Sequence, residues 1–167
     1  IINVSKLSDS DNDGVNDRLD LCPDTPSYLI EYVNIYGCPI PIDSNFDIKP
    51  DFYNENIFNI TKFEIGDSRF GKMKYDFGRN ISLMRWVNDH YERADLNSYI
   101  KLSKNRIELD SGNLPMLNES ATITLYNVSL SNPVVARDGI ICAKCKIISH
   151  DKVNGTVVFS VPHFTVY

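Results

Sequence analysis

Residues 9–20, DSDNDGVNDRLD, constrain this chain more than any other stretch. Carboxylates stand at Asp9, Asp11, Asp13, Asp17 and Asp20, with Gly14 between the third and the fourth. Alternate side chains at Asp9, Asp11 and Asp13 can converge on one point. Gly14 allows a sharp backbone turn that points the Val15 carbonyl inward, and Asp20 closes the loop as its twelfth residue. This is the ligand logic of a calcium loop: oxygen donors only, side chain and backbone mixed, glycine at the sixth place. Five acids in twelve residues repel one another, and without a divalent cation they hold the stretch extended or disordered. The competing reading is an acidic surface turn; the full D-x-D-x-D-G-x-x-D-x-x-D spacing favours calcium.

The loop departs from an EF-hand in two ways. Its last ligand is Asp20 rather than a longer Glu, and only Ile1 to Ser8 precede it, too few for an entering helix. Beyond the loop come Leu21-Cys22-Pro23-Asp24-Thr25-Pro26 and, later, Gly37-Cys38-Pro39. Taken together, DSDNDGVNDRLDLCPDTP…GCP resembles a thrombospondin type-3 calcium repeat, in the single-copy form of prokaryotic envelope and surface proteins. The resemblance covers residues 9–39. It implies calcium on Asp9, Asp11, Asp13, the Val15 carbonyl and Asp20, and a Cys22–Cys38 disulfide. Asp17 would act through a water, or as an acceptor beyond the ion's own ligands.

The chain has 167 residues, 43% of them hydrophobic, and a net charge of −5, enough for one good core and a small appendage. An acidic chain with no basic run argues against nucleic acid. No apolar run approaches the length of a membrane span. The first residue is not Met and no signal-peptide pattern is present, which fits a mature product and a cut fragment equally.

The four cysteines sit in two pairs, Cys22 with Cys38 and Cys142 with Cys145. A zinc site would need the pairs to meet in space, and no His stands at ligand spacing beside either. A thioredoxin-like motif would place its C-x-x-C at a helix start, whereas Cys142-x-x-Cys145 lies among strand-like residues. Two local disulfides are favoured, and they imply an oxidising compartment. Asn-x-Ser/Thr sequons at Asn3, Asn59, Asn80, Asn118, Asn127 and Asn154 number six, where composition gives about two by chance. N-linked glycans on an extracellular or cell-surface protein are the resulting expectation.

Along the chain, residues 1–8 form an N-terminal arm whose Ile1-Ile2-Asn3-Val4 is β-prone but too short to hold itself. Residues 9–38 form the calcium and disulfide module, with a small strand expected at Leu29 to Val33. Residues 39–45 form a Pro-rich linker, Pro39 and Pro41 setting a semi-rigid extended backbone. Residues 46–167 read as β. Ile57 to Ile65 and Lys72 to Phe77 alternate; Tyr99 to Leu102 and Arg106 to Leu109 make a hairpin around Lys104-Asn105. Further strands are expected at Ala121 to Val128, Val134 to Ala136, Ile140 to Cys142, Cys145 to Ser149 and Thr156 to Val161, with turns at Asp138-Gly139 and Asn154-Gly155. The fold class is mainly β, an antiparallel sandwich of the immunoglobulin-like or jelly-roll-like kind. Only Leu83 to Asp95 has helix-compatible spacing, through Leu83, Met84 and Val87, against Trp86 and β-rich neighbours.

Ala121-Thr122-Ile123-Thr124-Leu125-Tyr126-Asn127, then Asp138-Gly139, Cys142-x-x-Cys145 and Val158-Phe159-Ser160-Val161-Pro162-His163-Phe164-Thr165-Val166-Tyr167 resemble a β-sandwich unit of prokaryotic, especially archaeal, secreted surface proteins. That resemblance implies a structural extracellular domain and no catalytic residues.

A search for chemistry returns little. His90, His150 and His163 stand in no hydrolase, zinc-protease or phosphate-loop context. His163 reads as a packed residue of the last strand, and Asp89-His90 with Glu92 as a solvated loop. Trp86, with Tyr91 and Tyr99, could stack on sugars, but a core Trp is the plainer expectation. No enzyme is expected. The leading reading is an extracellular structural protein, the subunit of a surface filament or layer that polymerises through its N-terminal strand. The alternative is an adhesion or carbohydrate-binding module of a larger secreted protein; a third is an envelope linker of the porin-associated kind.

Overall fold

Phe63, Ile65, Met73, Tyr75, Ala121, Ile123, Leu125, Val157, Phe159 and Val161 alternate with more exposed neighbours, and period-two alternation puts them all on one buried sheet face. The computed structural model describes residues 8–56, 60, 62–75, 83–164 and 166–167. Its strands are β1 (Phe63–Asp67), β2 (Gly71–Tyr75), β3 (Met84–Val87), β4 (His90–Arg93), β5 (Ile100–Ser103), β6 (Arg106–Leu109), β7 (Ala121–Leu125), β8 (Ala136–Arg137), β9 (Ile140–Ile141), β10 (Lys146–Asp151) and β11 (Thr156–Val161). One short helix, α1 (Leu96–Tyr99), lies between β4 and β5. The protein is mainly β, and every strand pairing is antiparallel.

The largest sheet has five strands in the order β1-β2-β7-β11-β10. Register sets Ile65 against Met73, Met73 against Ile123 and Ile123 against Phe159, so one apolar row crosses four strands. Close strand approach depends on Gly71: a Cβ there would lie 2.2 Å from the Thr124 carbonyl oxygen. Tyr75 closes the core polarly as well as sterically. Its hydroxyl donates to the Leu117 carbonyl at 2.9 Å, and burial pushes its phenol well above the ordinary tyrosine range. Phe63, Tyr75, Phe164 and Tyr167 form a chain of ring contacts.

Three two-stranded hairpins accompany this sheet: β3–β4, β5–β6 and β8–β9. Leu83, Leu96, Ile100, Ile107, Leu114 and Leu117 belong to the same core. Ile107 and Tyr167 exchange both backbone hydrogen bonds, so the chain's last residue pairs with β6. The expected sandwich is therefore represented by one five-stranded sheet and separate hairpins; no second large sheet and no closed barrel is formed among the described residues.

The hairpins at Lys104-Asn105, Asp138-Gly139 and Asn154-Gly155 stand where the turn chemistry puts them. Other expectations change. Leu83 to Asp95 is a hairpin, β3–β4, not a helix. Asn88 and Asp89 both take positive φ, 47° and 64°, which sets the two-residue turn that matches strand twist. Among the described residues the α-helix falls instead at Leu96–Tyr99, where Asp95 caps it by accepting from the Ser98 N–H at 3.0 Å. Leu29 to Val33 is not a strand: Ile30–Tyr32 is a 3-10 turn, and only Val33 makes a β-bridge, to Pro39. Pro39 to Ile42 is not a free spacer. Ile42 donates to the Ala94 carbonyl at 2.9 Å, and Arg93 donates to the Ile40 and Pro41 carbonyls at 2.8 and 2.7 Å. Prolines leave carbonyls unpaired by the local backbone, and the guanidinium fork takes them up. The arm at Ile1 to Leu7, the start of the Ile57 strand, and Asp76-Phe77 lie outside the described residues.

Candidate metal centre

Carboxylate oxygens of Asp9, Asp11 and Asp13 lie within 4.8 Å of one another. The backbone builds this cluster by local turns: the Gly14 N–H donates to Asp9 at 3.1 Å, the Val15 N–H to Asp13 at 2.8 Å and the Asp13 N–H to Asp11 at 3.3 Å. These bonds use one oxygen of each carboxylate. The second oxygens of Asp9 and Asp13, Oδ1 and Oδ2 respectively, are buried without a hydrogen-bond partner among the described residues. Buried anionic oxygens without donors are costly, and a hard cation is the partner their chemistry suits.

Asp20 comes back to the cluster through Gly37. A Cβ on Gly37, whose φ is +75°, would sit 2.1 Å from Asp20 Oδ1 and 2.7 Å from Asp13 Oδ2. Any side chain there would intrude on both carboxylates. Asp13 and Asp20 have their acidities weakened, first by desolvation and then by the negative charge of neighbouring aspartates. Asp17 takes another role. It accepts from the Ser10 N–H at 2.8 Å and the Ser10 hydroxyl at 3.0 Å, facing that turn rather than the three-carboxylate group. Hydrogen bonds from Ser8 and Ser10 hold its carboxyl below the ordinary range. The arrangement can hold a metal ion on Asp9, Asp11 and Asp13, with Asp20 beside Asp13.

Two residues that spacing did not single out complete the module. Thr25 is buried; its N–H donates to Asp11 at 2.9 Å, and its hydroxyl lies 2.9 Å from the Gly37 carbonyl and 3.1 Å from that of Cys22. Asn34 is also buried. Its side-chain oxygen accepts from the Tyr36 and Cys38 N–H groups, and its amide donates to the Phe52 and Glu55 carbonyls. The only sequence signal for either was a small polar residue between prolines or before a cysteine.

Cys22 is bridged to Cys38, with Cα atoms 5.1 Å apart, and Cys142 to Cys145, at 5.4 Å. All four cysteines are thereby consumed, which leaves no thiolates for zinc. Two disulfides suit an oxidising environment. Among the described residues no helix is long and apolar enough to cross a membrane.

The described sequon residues Asn118, Asn127 and Asn154 are exposed; Asn3, Asn59 and Asn80 lie outside the described residues. The Asn127 and Asn154 amides donate to the Arg69 carbonyl and to Asp151. His163 lies in a packed setting, its Nε2 2.9 Å from Arg137. His90 and Glu92 form an exposed pair at 3.2 Å. Trp86 is not a core residue: it is 61% exposed on β3, because the hairpin sets it on a face that the core does not cover.

An acidic, disulfide-bridged module on a mainly β body is the class these features define. No family model matches the chain. An alignment of 58 positions, 41% identical, relates 30% of this chain to 16% of outer membrane porin F of Pseudomonas aeruginosa. The C-terminal domain of the nuclear pore complex component NUP116 from Candida glabrata superposes with a TM-score of 0.46 at 18% identity, over 73% of this chain and 91% of that domain. That superposition is too loose to define a shared fold.

Proposed function

We propose that the chain is a calcium-stabilised, glycosylated extracellular structural protein, the subunit of a surface filament or layer assembled by strand addition. The observation that carries this reading is the outer edge of β10. At the other end of the five-stranded sheet, Ile48 exchanges both backbone hydrogen bonds with Gly66 and so occupies the edge of β1. Among the described residues nothing pairs with the outer side of β10, and its Ile147 and Ile148 are 38% and 55% exposed. Apart from the bulge between Ile147 and Ser149, this is a free edge with two exposed isoleucines, and a free edge is a template for an added strand.

In this reading the acidic loop is a thrombospondin type-3-like repeat. Calcium sits on Asp9, Asp11, Asp13, the Val15 carbonyl and Asp20. The body is a sandwich whose second layer is supplied by hairpins, and glycans on the sequons coat its outside. The donor is the β-prone Ile1-Ile2-Asn3-Val4 of a neighbouring copy. Ser8 is anchored to the calcium loop, its carbonyl accepting from the Asp17 N–H at 3.0 Å and the Asn16 amide at 2.8 Å. The ion would thus set where the donor leaves the module. A head-to-tail contact that does not close gives a filament. Deleting residues 1–8 should abolish polymers in electron micrographs while leaving the body's melting transition nearly unchanged. Fibres that survive the deletion, or a full chain that stays monomeric in calcium, overturn the reading.

A further inference from the structure

The β3–β4 hairpin sets Trp86 directly opposite Tyr91, and Met84 opposite Arg93, so these four side chains share one face. The rings of Trp86 and Tyr91 meet edge to face with centroids 4.8 Å apart. Their neighbours hold this face in place. The Tyr28 hydroxyl accepts from the Tyr91 N–H and donates to the Tyr91 carbonyl, both at 3.1 Å, which fixes the outer edge of β4 to the disulfide module. Arg93 lies over the Tyr32 ring at 4.1 Å. Between hairpin and module runs a cleft of about 210 Å³, lined by Leu21, Pro23, Asp24, Pro26, Met84 and Tyr91. Trp86 stands one register step further toward the hairpin tip, where Asn88 and Asp89 are exposed.

We propose that the Trp86–Tyr91 face, together with the cleft that Tyr91 lines beside it, binds an uncharged sugar ring of a glycan. Four features point there. The lining of Leu21, Pro23, Pro26, Met84 and Tyr91 is apolar and aromatic, suited to the C–H face of a pyranose, while Asp24 in the same lining offers a hydrogen-bonding group suited to hydroxyls. The cleft is below the roughly 300 Å³ at which drug-sized pockets begin, which fits a single ring rather than a larger ligand. Among the described residues no basic side chain lines it, and Arg93 is committed to the Ile40 and Pro41 carbonyls. Asp24 is the charged group in the lining, so phosphate, sulfate and uronic acids are disfavoured. A single edge-to-face Trp–Tyr pair gives one platform. A proline-rich peptide, at about three residues per turn, needs a row of parallel aromatic slots. The proposal is independent of whether the chain polymerises.

Trp86 is the chain's one tryptophan, so its emission reports on this site alone. The test titrates the full chain, in calcium, with hexasaccharides of glucose, mannose and N-acetylglucosamine, and with a proline-rich decapeptide. A saturable change in Trp86 emission with at least one oligosaccharide is expected. By calorimetry, Trp86→Ala should weaken that binding at least ~10-fold, the loss of a stacking surface, with its circular dichroism and melting unchanged. No saturable response to any of the three sugars overturns the proposal. So does saturation by the peptide alone, or sugar binding that Trp86→Ala leaves intact.

Discussion

Residues 8–42 bury Asp13, Thr25 and Asn34 alongside Leu29 and Cys38, whereas the body from Ile60 onward buries Phe63, Ile65, Met73, Leu83, Ile123, Phe159 and more of their kind. Among the described residues, no charged side chain of the body appears with those buried ones. The difference shows two ways of overcoming chain entropy. The body does it chiefly by area: an apolar row across four strands, with the Tyr75 hydroxyl to the Leu117 carbonyl as a buried polar bond within it. The module has too little apolar surface for that. Its order rests on a covalent bridge, on directed hydrogen bonds, and on carboxylates whose mutual repulsion an ion could neutralise. Its stability should therefore respond to chelator, reductant and pH, and the body's to changes of side-chain volume.

The largest expected effect tests the body. Phe63→Ala should cost about 3–5 kcal/mol, because Phe63 is fully buried between the Phe52 and Tyr75 rings and its removal leaves a cavity. The main thermal transition should fall accordingly in calorimetry, while the Cys22–Cys38 bridge still forms. If the Phe63→Ala chain melts like wild type, the core has been misplaced.

A smaller effect tests the module. If calcium binds with a dissociation constant on the order of 10⁻⁴ to 10⁻³ M, then 10 mM ion stabilises it by about 1.4–2.7 kcal/mol. The sign of the pH dependence sharpens this. Asp13 and Asp20 have folded-state pKa values above their unfolded ones, so the metal-free module holds those protons more tightly when folded. In chelator these two groups contribute stability that is present at low pH and lost as pH rises through their raised titrations, while Asp17, held below its ordinary range, contributes stability that is lost only at still lower pH. In calcium the trend should reverse, since protons compete with the ion. Amide exchange over residues 9–38 reads both arms. Identical pH profiles with and without calcium would remove the metal from the account.

The sequence made most of the sheet legible because alternation and turn residues are local signals: Lys72 to Tyr75, Ala121 to Leu125 and Asn154-Gly155 needed no tertiary information. The carboxylate cluster was legible for the same reason, its ligand spacing being a property of twelve consecutive residues. Three things were not. Leu83 to Asp95 has a spacing shared by helix and strand, and only the two positive-φ residues at Asn88 and Asp89 decide it. Trp86 looked like core because size and apolarity do not say which face of a hairpin is covered. The packing of Pro39 to Ile42 depends on Arg93, more than fifty residues away, and no local pattern announces such a partner.

The finest test of the comparison is Thr25→Val, a near-isosteric change that removes one hydroxyl. In the module the Thr25 hydroxyl serves the Gly37 and Cys22 carbonyls, which tie the disulfide loop to the residue lying against Asp13 and Asp20. Without the hydroxyl the Gly37 carbonyl loses its donor, whereas the Cys22 carbonyl keeps the Thr25 N–H at 3.1 Å, and Gly37 is free to move away from the two carboxylates. The expected cost is about 1 kcal/mol, the net worth of one hydrogen bond, confined to the module. Calcium affinity by calorimetry should weaken about fivefold, that cost expressed at the ion, while the body's melting temperature stays put. Thr25→Ser should restore wild-type affinity, since the hydroxyl returns without the methyl. Unchanged calcium affinity in Thr25→Val would mean that the carboxylates hold their positions without the bridge loop. The module would then owe its order to the acidic turn alone.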